Sequence, residues 1–474
     1  MIIYSGNKLK EHIAELKKGA TAQTGLNEVY ERDFVSDVRA HFHKTQWQKV
    51  VIVSGFHATG KTFGLLQAVE DFNDTVYIPA QRDETLTGRN YIEFLREVKE
   101  KNIIIDEYTL IKDKRDLTYY LWTLAENGKS VVITGADWTE LDYYGAGILI
   151  NREQYINVNM FSYREYCRIY RKSFCQESRN EYLRIGGVFK PYDIDSAEAM
   201  IEYIETSVVE NIANSTPYSK ETVRAILYHI MYLAVCGLEI EWRHDPKNIR
   251  MDAQYQRMAD RFGIDGSIEF DSFDFKRTVD VLLRTAFLSK SYNLFDCHKT
   301  EYYEDWNYRL HMTNPSLTYQ MFCAVFDEGQ TEANYSKLLE ANMVSLIAPY
   351  VKRDDKIWYA EMELQTGILE FVLIFMEYRT CSAYLFEVCS QAATLSEHIG
   401  LVSDEFEALL KNQAERFNIG GRYVICDMST EKCGTAHGKK VIFTGLECDT
   451  LVNFRQFDES YDRLSGTDDN SNDE

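Results

Sequence analysis

The sequence lacks any apolar run that is long enough to cross a bilayer. Its longest apolar stretch, Ala225 to Leu238, contains His229 and is shorter than the ~20 residues that a membrane-spanning helix needs. The N-terminus becomes charged before the apolar core of a signal peptide could form. We therefore expect a cytoplasmic protein with no membrane contact, in which residues 225–238 form a buried helix.

Closely spaced cysteines are also missing. The ten cysteines are scattered and none forms a CxxC motif, so neither a disulfide framework nor a structural zinc site is indicated. Reduced thiols are the simpler interpretation. Cys426, Cys433 and His437 cluster loosely, but their irregular spacing is more typical of an ordinary loop than of a metal site.

Positive charge is scarce, because 52 lysines and arginines face 74 aspartates and glutamates, for a formal net charge of −22. Such an excess opposes tight, non-specific binding to nucleic acid, so a nucleic-acid partner is possible but not indicated. A protein partner or a homo-oligomer is left open. Part of the negative charge lies at the C-terminal end, and we predict a disordered acidic tail over residues 461–474.

What the sequence does contain is a regular alternation of apolar strands and helical stretches near its N-terminus. The run KVVIVSG at Lys49 to Gly55 is followed by a helix-like segment, and four further short apolar runs recur, at residues 76–78, 103–105, 131–134 and 155–158. This order predicts a parallel sheet flanked by helices. At 474 residues the chain has room for about three domains. We predict a helical segment over residues 1–45 and an α/β domain with a P-loop over residues 46–170.

The segment GFHATGKT fits the P-loop pattern GxxxxGK[ST]. Glycines in this pattern let backbone N–H groups surround phosphate oxygens beside the positive end of a helix. We expect Lys61 to neutralise the β- and γ-phosphates and Thr62 to ligate Mg²⁺. A chance glycine-rich turn is disfavoured by the flanking strand and helix. The predicted ligands are ATP and magnesium, and the predicted binding residues are Gly55, Phe56, His57, Ala58, Thr59, Gly60, Lys61 and Thr62.

A second motif follows the apolar strand NIII, where Asp106 and Glu107 form a carboxylate pair of the Walker B type. Carboxyl ends of parallel strands form the edge at which open α/β folds bind ligands. We expect Asp106 to hold Mg²⁺ and Glu107 to polarise the water that attacks the γ-phosphate. An isolated pair would more often be a strand that ends in solvated acids, and the upstream P-loop favours the catalytic interpretation.

Two more residues are candidates for contact with the γ-phosphate. Thr134 ends the strand SVVIT, which we place between the strands that carry the two motifs, and it could bind the attacking water or serve only as a cap. Arg152 could reach a γ-phosphate in its own subunit or across a subunit boundary, and a solvated arginine is an equal alternative.

From residue 133 onward, the segments ITGA, Asn151-Arg152 and MFSYREY occur in that order. In this the chain resembles a prokaryotic family of predicted AAA-type ATPases, which carries a C-terminal domain of unknown function with a restriction-endonuclease-like core. The family's corresponding segments read ITGS, Gly-Arg and PLSFxEF. Further downstream, YLRIGGVFKP, the stretch from Tyr255 to Leu288 and HMTNPSLTYQMF also resemble family segments. The resemblance covers nearly the whole chain.

The resemblance implies two more domains after the ATPase domain. It implies a helical and winged-helix domain over residues 171–320 and a nuclease-like domain of the PD-(D/E)XK type over residues 321–460. The implied metal-site positions are Glu340, Glu370 and Glu387, with Cys389 where the family has lysine. A neutral thiol cannot replace an ammonium group, so we expect a degenerate site unless Lys352 or Lys356 substitutes. In the winged-helix segment, Arg277 and Arg284 alone make a poor phosphate-binding surface.

Together these features predict a magnesium-dependent ATPase in which nucleotide state changes the packing of the winged-helix and nuclease-like domains. Two alternatives remain from the sequence. One is a nucleotide-gated regulatory or interaction module with negligible hydrolysis. The other, which Cys389 disfavours, is an ATP-regulated DNA nuclease.

Overall fold

The fold is described from a computed structural model. It describes the following residues: 1–24, 30–44, 49–56, 59–80, 86–135, 149, 152–187, 196–241, 244–250, 252–294, 307–326, 335–347, 356–363, 369–388, 404–413, 417–425, 431–436, 438–445 and 453–468.

The first sheet has six strands in the order β1-β3-β4-β5-β2-β6. Its strands are β1 (Tyr4–Ser5), β2 (Val50–Gly55), β3 (Thr75–Pro79), β4 (Asn102–Asp106), β5 (Ser130–Gly135) and β6 (Glu153–Val158). All neighbours pair in parallel except β1, which runs antiparallel to β3. The predicted parallel sheet is confirmed. The segment over residues 1–45 is not purely helical, because its first strand adds an edge to this sheet.

Helices cover both faces of the first sheet. On one face lie α1 (Gly6–Thr24), α2 (Phe34–Phe42) and α3 (Lys61–Ala68), and on the other α4 (Gly88–Leu95) and α5 (Arg115–Glu126). Side chains alternate between the two faces, so Val51 and Val53 join one core while Val50 and Ile52 join the other. Burial on both faces explains why these strands read as continuous apolar runs.

A group of helices follows the first sheet. They are α6 (Tyr163–Tyr170), α7 (Gln176–Ile185), α8 (Ala197–Tyr203), α9 (Glu210–Ser215), α10 (Lys220–Cys236), α11 (Pro246–Arg250), α12 (Ala253–Arg261) and α13 (Ser272–Arg284). A π-helical turn over Ile204–Val209 joins α8 to α9. The predicted buried helix is α10. It begins at the N-cap Ser219 and ends at Gly237, whose φ of 61° is a left-handed conformation that suits glycine.

The second sheet has eight strands in the order β13-β14-β12-β11-β10-β9-β7-β8. They are β7 (Leu288–Asn293), β8 (Tyr308–Met312), β9 (Lys356–Glu363), β10 (Leu369–Glu377), β11 (Ser382–Val388), β12 (Asn418–Ile425), β13 (Lys432–Ala436) and β14 (Lys439–Thr444). Strands β9, β10 and β11 are antiparallel neighbours, whereas β12 runs parallel to β11. The accompanying helices are α14 (Pro315–Val325), α15 (Tyr335–Ile347), α16 (Asp404–Gln413) and α17 (Phe457–Asp468).

The structure differs from the predicted division of the C-terminal half in two places. Strand β7 pairs in parallel with β9, so one sheet continues across the predicted boundary at residue 320. Helix α17 runs to Asp468, so the predicted disorder is wrong for residues 461–468. The reason is that Phe457, Tyr461 and Leu464 pack against the second sheet. Residues 469–474 lie outside the described residues.

Within the described parts of the chain, no helix combines the length and apolarity that a membrane crossing requires. None of the described cysteines forms a disulfide. Of the loose cysteine–histidine cluster, Cys433 lies in β13, while Cys426 and His437 fall outside the described residues.

Candidate functional site

The P-loop leaves the first sheet at Gly55, the last residue of β2. Gly55 pairs with Val158 of the neighbouring β6, and a Cβ atom added to it would lie 2.2 Å from the carbonyl oxygen of Val158. No larger residue fits there without displacing the strand. Gly60 then takes a left-handed conformation, with φ of 79°, immediately before α3 begins. His57 and Ala58 lie outside the described residues.

Lys61 lies inside the curl of this loop. Its Nζ donates hydrogen bonds to the carbonyl oxygens of Gly55, at 2.9 Å, and of Phe56, at 2.8 Å. The hydroxyl of Thr59 donates to the same Phe56 carbonyl at 2.8 Å. Burial lowers the pKa of Lys61, while the nearby carboxylates of Glu107 and Asp106 act in the opposite direction. The ammonium group is thus held by two carbonyl oxygens of the loop itself.

Asp106 ends β4 at the same edge of the sheet, and its carboxylate is held from two sides. The hydroxyl of Thr134 donates to Oδ1 at 2.5 Å, and the hydroxyl of Tyr77 donates to Oδ2 at 2.8 Å. Burial and the charge of Asp106 raise the pKa of Tyr77, so this hydroxyl remains a donor. The sequence contained no motif that would single out Tyr77, which the parallel pairing of β3 with β4 brings next to Asp106.

Glu107 has a strained backbone. Its φ of 52° and ψ of 40° lie in the left-handed region, which is costly for a residue with a side chain and is often found at functional sites. Its backbone N–H donates to the hydroxyl of Thr134 at 3.0 Å. Burial raises the pKa of its carboxyl, Lys61 opposes this effect and Asp106 adds to it. The strained turn therefore places a weakly acidic carboxyl close to the P-loop ammonium.

Thr134 lies on β5, between β4 and β2, as the sequence predicted. Its side chain is fully buried, and its hydroxyl is engaged by the carboxylate of Asp106 and the N–H of Glu107. In this arrangement Thr134 positions the two acids. The predicted contact of this hydroxyl with the attacking water or the γ-phosphate stays a prediction.

Arg152 lies at the wrong edge of the sheet for a phosphate contact in its own subunit. Its carbonyl accepts a hydrogen bond from Val50, the first residue of β2, whereas the P-loop follows the last residue of that strand. Five residue steps along a strand separate the two edges by about 16 Å. The Arg152 guanidinium lies over the ring of Trp122, 3.7 Å from its centroid. The predicted role within one subunit is wrong, and the role across a subunit boundary stays a prediction.

The arginine that does reach the P-loop is Arg32, which sequence reasoning missed. It lies just before α2, is only 5% exposed, and donates from Nη1 to the carbonyl oxygen of Thr59 at 2.5 Å. Its Nε and Nη2 donate to the two carboxylate oxygens of Glu165 at 3.0 Å and 2.8 Å. A buried arginine of this kind has no local sequence pattern, because its partners come from distant parts of the chain.

Glu165 links this arginine to helix α6. With Ser162 it forms the capping box at the N-terminus of α6, and its Oε1 accepts a hydrogen bond from the N–H of Asp33. Burial alone would raise the pKa of Glu165, but the charge and hydrogen bonds of Arg32 hold it below its usual value. The carboxylate therefore stays ionised and keeps the P-loop, α2 and α6 together.

Phe56 connects the P-loop to the helical region. This residue is 3% exposed, and its ring lies 5.0 Å from that of Phe287 and 6.4 Å from that of Tyr203, measured between centroids. Both neighbours belong to the apolar core formed by α8 to α14 and by strands of the second sheet. Phe56 is thus part of a different core from β2 and α3, the strand and helix that flank the loop.

The residues implied for a nuclease-like site are only partly described. Glu340 lies in α15, and Glu387 is buried in β11, where it pairs with Val372 of β10. Glu370 is two residues before Val372 on β10, so the two glutamates occupy adjacent strands. Lys356 begins β9. Lys352 and Cys389 lie outside the described residues.

Comparison with known proteins gives a family match for the region that contains the P-loop. Residues 47–167 match the model of a family described as the AAA domain. This part of the chain is an AAA-type, nucleotide-binding P-loop domain. It contains both P-loop and Walker B residues as well as the helix-capping Glu165. No curated protein matches the chain significantly.

The solved structures that can be aligned with the chain include the following three. Hsp104 of S. cerevisiae, in its casein complex, is 17% identical over 34% of this chain and 31% of its own, with a TM-score of 0.26. ORC2 of Aeropyrum pernix is 10% identical over 68% and 93%, with a TM-score of 0.30. PCH-2 of C. elegans is 16% identical over 41% and 54%, with a TM-score of 0.19. This chain therefore spans about a third of the Hsp104 chain, and the assignment of residues 47–167 rests on the family match and the site geometry.

Proposed function

We propose that this protein is a magnesium-dependent ATPase that transmits the state of its nucleotide to the helical region and the second sheet. The observation that carries the proposal is the convergence of Lys61, Asp106, Glu107 and Thr134 at the carboxyl edge of a parallel sheet. Lys61 supplies positive charge for phosphate oxygens, and Glu107 supplies a general base beside it. Thr134 fixes the direction of both acids.

The oxygen atoms at this site suit Mg²⁺. Asp106 offers a buried carboxylate, and Thr62 offers a hydroxyl in the first turn of α3 directly after Lys61. Magnesium prefers oxygen ligands and keeps several waters when it binds beside phosphates. We propose that Thr62 and Asp106 hold the ion, which would neutralise charge on the β- and γ-phosphates.

Phosphate release from the purified chain tests this function. Wild-type protein is expected to release phosphate from Mg·ATP at a rate that Glu107→Gln reduces to background while nucleotide binding persists. Lys61→Ala is expected to lose binding as well, because the ammonium group is removed. Equal background release from wild-type protein and Glu107→Gln would remove the hydrolysis claim, and unchanged binding by Lys61→Ala would remove the nucleotide site.

The proposed transmission runs through Phe56. When phosphate enters the loop, the carbonyl oxygens that Lys61 now binds must release its ammonium group, and one of them belongs to Phe56. The ring of Phe56 is packed against Phe287 and Tyr203, so a shift of its backbone displaces the helical core. Hydrogen exchange of α8 and α13 with and without ATP measures this effect. Phe56→Ala should abolish the ATP-dependent change there while phosphate binding remains measurable.

A regulatory module with negligible hydrolysis is the second candidate. It is favoured by the state of the catalytic groups, because Asp106 is bonded on both oxygens and Lys61 is bonded to loop carbonyls. These groups must rearrange before catalysis, and such rearrangement can depend on a partner. This candidate would be supported over the first if ATP changed the hydrogen exchange of α8 and α13 while wild-type protein released phosphate no faster than Glu107→Gln.

For the C-terminal half we propose a winged-helix module and a degenerate restriction-endonuclease-like core. The winged-helix module is supported by helices α12 and α13, which are followed by the antiparallel pair β7 and β8. The nuclease-like core is supported by the element order α15-β9-β10-β11-α16-β12, in which β12 runs parallel to β11. Because position 389 is not a lysine, we expect this core to have a binding or structural role and not to cleave DNA. Incubation of DNA with the protein and Mg²⁺ or Mn²⁺ tests this. Cutting that Glu387→Ala abolishes would contradict it.

A further inference from the structure

Two cysteines lie beside the same hydroxyl group at the junction of α6 and α7. The Sγ of Cys175 is 3.5 Å from the Oγ of Ser178, and the Sγ of Cys167 is 4.0 Å from that same oxygen. The hydroxyl of Tyr163 completes the cluster at 2.6 Å from Ser178. The two sulfurs thus lie within 4.0 Å of the same hydroxyl oxygen, although eight positions separate them in the sequence.

Cys175 has the surroundings of a reactive thiolate. It is the N-cap residue of the ten-residue helix α7, and its sulfur accepts a hydrogen bond from the backbone N–H of Ser178. Hydrogen bonds from Ser178 lower the pKa of Cys175, and the positive end of a helix favours a negative sulfur. The residue is half-buried and lies next to the exposed Phe174, so a small oxidant can reach it.

Cys167 has the opposite character. It is buried in α6, and burial raises the pKa of its thiol. It therefore stays protonated under conditions in which Cys175 is partly ionised. This division matches the two roles of a redox dithiol, in which an exposed thiolate reacts first and a neighbouring thiol then resolves it.

We propose that Cys167 and Cys175 form a peroxide-sensitive dithiol whose oxidation to a disulfide weakens nucleotide binding at the P-loop. The Cys175 thiolate attacks one peroxide oxygen, the O–O bond breaks, and a sulfenic acid forms while the released hydroxide takes up a proton. The Cys167 sulfur then attacks the Cys175 sulfur, so that the S–S bond forms, the S–O bond breaks and water leaves. Two thiols have lost two electrons and two protons, and one peroxide has become two waters.

The path to the P-loop is short. Cys167 lies two residues after Glu165 on α6, and Glu165 holds Arg32, which donates to the Thr59 carbonyl of the loop. A covalent bond from Cys167 to the start of α7 changes the direction of this end of α6. This second part of the proposal rests on the proposed function, whereas the disulfide itself does not.

Peptide mapping of the full chain tests the disulfide. Trypsin separates the two cysteines, because cleavage after Arg164, Arg168, Lys172 and Arg179 leaves them in the peptides 165–168 and 173–179. After treatment with hydrogen peroxide and alkylation of free thiols, we expect these peptides to appear as one linked species. A reducing agent should release them.

Three variants control the mapping. Cys175→Ser keeps a good helix cap and should abolish the linked species, as should Cys167→Ser. Cys433→Ser, a half-buried cysteine in β13, should leave it unchanged. Cys175 should also be alkylated about tenfold faster than Cys433 at neutral pH. Alkylation at the Cys433 rate with no linked species would show that Cys175 is only a helix cap, and the proposal would be overturned.

Nucleotide affinity tests the link to the P-loop. Oxidised wild-type protein is expected to bind ATP at least about fivefold more weakly than reduced protein, with recovery on reduction. Cys167→Ser should show no such change after peroxide. A disulfide that forms without a change in affinity would overturn the link, and a reduced protein that binds no nucleotide would instead contradict the proposed function.

Discussion

The guanidinium of Arg32 and the carboxylate of Glu165 form a two-point ion pair behind the P-loop, although 133 positions separate them in the sequence. Both side chains are almost fully buried, at 5% and 6% exposed. Because Arg32 also donates to the carbonyl of Thr59, the pair fixes the phosphate-binding loop against the start of α6. The nucleotide site is thus held in part by a segment that lies before β2, the strand that leads into the P-loop.

Removing one partner of this pair should lower the free energy of unfolding by more than the intact pair contributes to it. Arg32→Ala leaves the Glu165 carboxylate buried without its counter-charge, and such a change costs about 3–5 kcal/mol of unfolding free energy. Arg32→Lys should retain only part of the unfolding free energy that Arg32→Ala loses, because an ammonium group cannot make the two-point contact. Urea denaturation measures both.

The exposed pair between Arg89 and Glu93 provides the matched control. Solvent screens this pair, so Arg89→Ala should change the unfolding free energy by less than about 1 kcal/mol. Equal losses from Arg32→Ala and Arg89→Ala would show that the buried pair contributes nothing special to the fold.

Replacing Thr134 tests whether its hydroxyl orients Asp106 and Glu107 or whether its side chain only fills space. Thr134→Val keeps the shape but removes the hydroxyl that binds Asp106 and Glu107. We expect kcat for ATP hydrolysis to fall about 100-fold, since misplaced catalytic groups lose about that much. Thr134→Ser keeps the hydroxyl and should retain most activity. Similar rates for the valine and serine variants would argue against a positioning role.

Hydrolysis should depend on pH through Glu107. A general base works only when deprotonated, and burial raises the pKa of this carboxyl. The rate should therefore fall as pH decreases through this raised pKa, at a higher pH than the ordinary glutamate value of about 4.3. A kcat profile measured across the acidic and neutral range tests this. The background release that remains in Glu107→Gln should show no acidic limb, and a limb that persists in this residual release would assign it to another group.

The free energy of unfolding should decrease in acid because of buried histidines. Burial lowers the pKa of His311 to about 3, and its Nε2 lies 2.8 Å from the hydroxyl of Ser291. In the unfolded chain the value is about 6.5, so between the two values the unfolded state binds the extra proton. Stability is therefore fully present above pH ~6.5 and is lost as pH falls towards about 3.

A variant at this position isolates the effect. His311→Gln should reduce the slope of the unfolding free energy against pH by about 1.4 kcal/mol per unit in this window. Urea denaturation at several pH values measures the slope. Above pH 7 the wild-type and variant curves should run parallel, because the histidine is neutral in both states. Identical slopes below pH 6 would contradict the assignment.

The parts of the site that could be predicted are those that a short stretch of sequence determines. Glycines at fixed spacing, an apolar strand before Gly55 and another before Asp106 are local signals, and a parallel sheet brings their ends together. The position of Thr134 followed from the same order of strands. Arg32 and Tyr77 could not be found in this way, since each acts on a partner that is near only after folding.

Arg152 shows a different kind of error. The sequence already placed it before the strand that contains Tyr155, and residues before a parallel strand lie at the amino edge of the sheet. Arg152 was singled out for its residue type, because an arginine can contact a γ-phosphate, whereas strand direction decided its location. The strained conformation of Glu107 is also absent from any local pattern, because the hydroxyl of Thr134 on the next strand helps to hold it.

The pairing of β7 with β9 has a consequence for dividing the chain into fragments. Three residue pairs join these strands. In the order of the second sheet, this pairing connects β7 and β8, which lie before residue 320, to the six strands that lie after it. A fragment that ends between α14 and β9 would present the bare backbone of β7 to solvent, and exposed strand edges recruit other chains. The two halves are therefore better produced together, as a single polypeptide, than as separately expressed pieces.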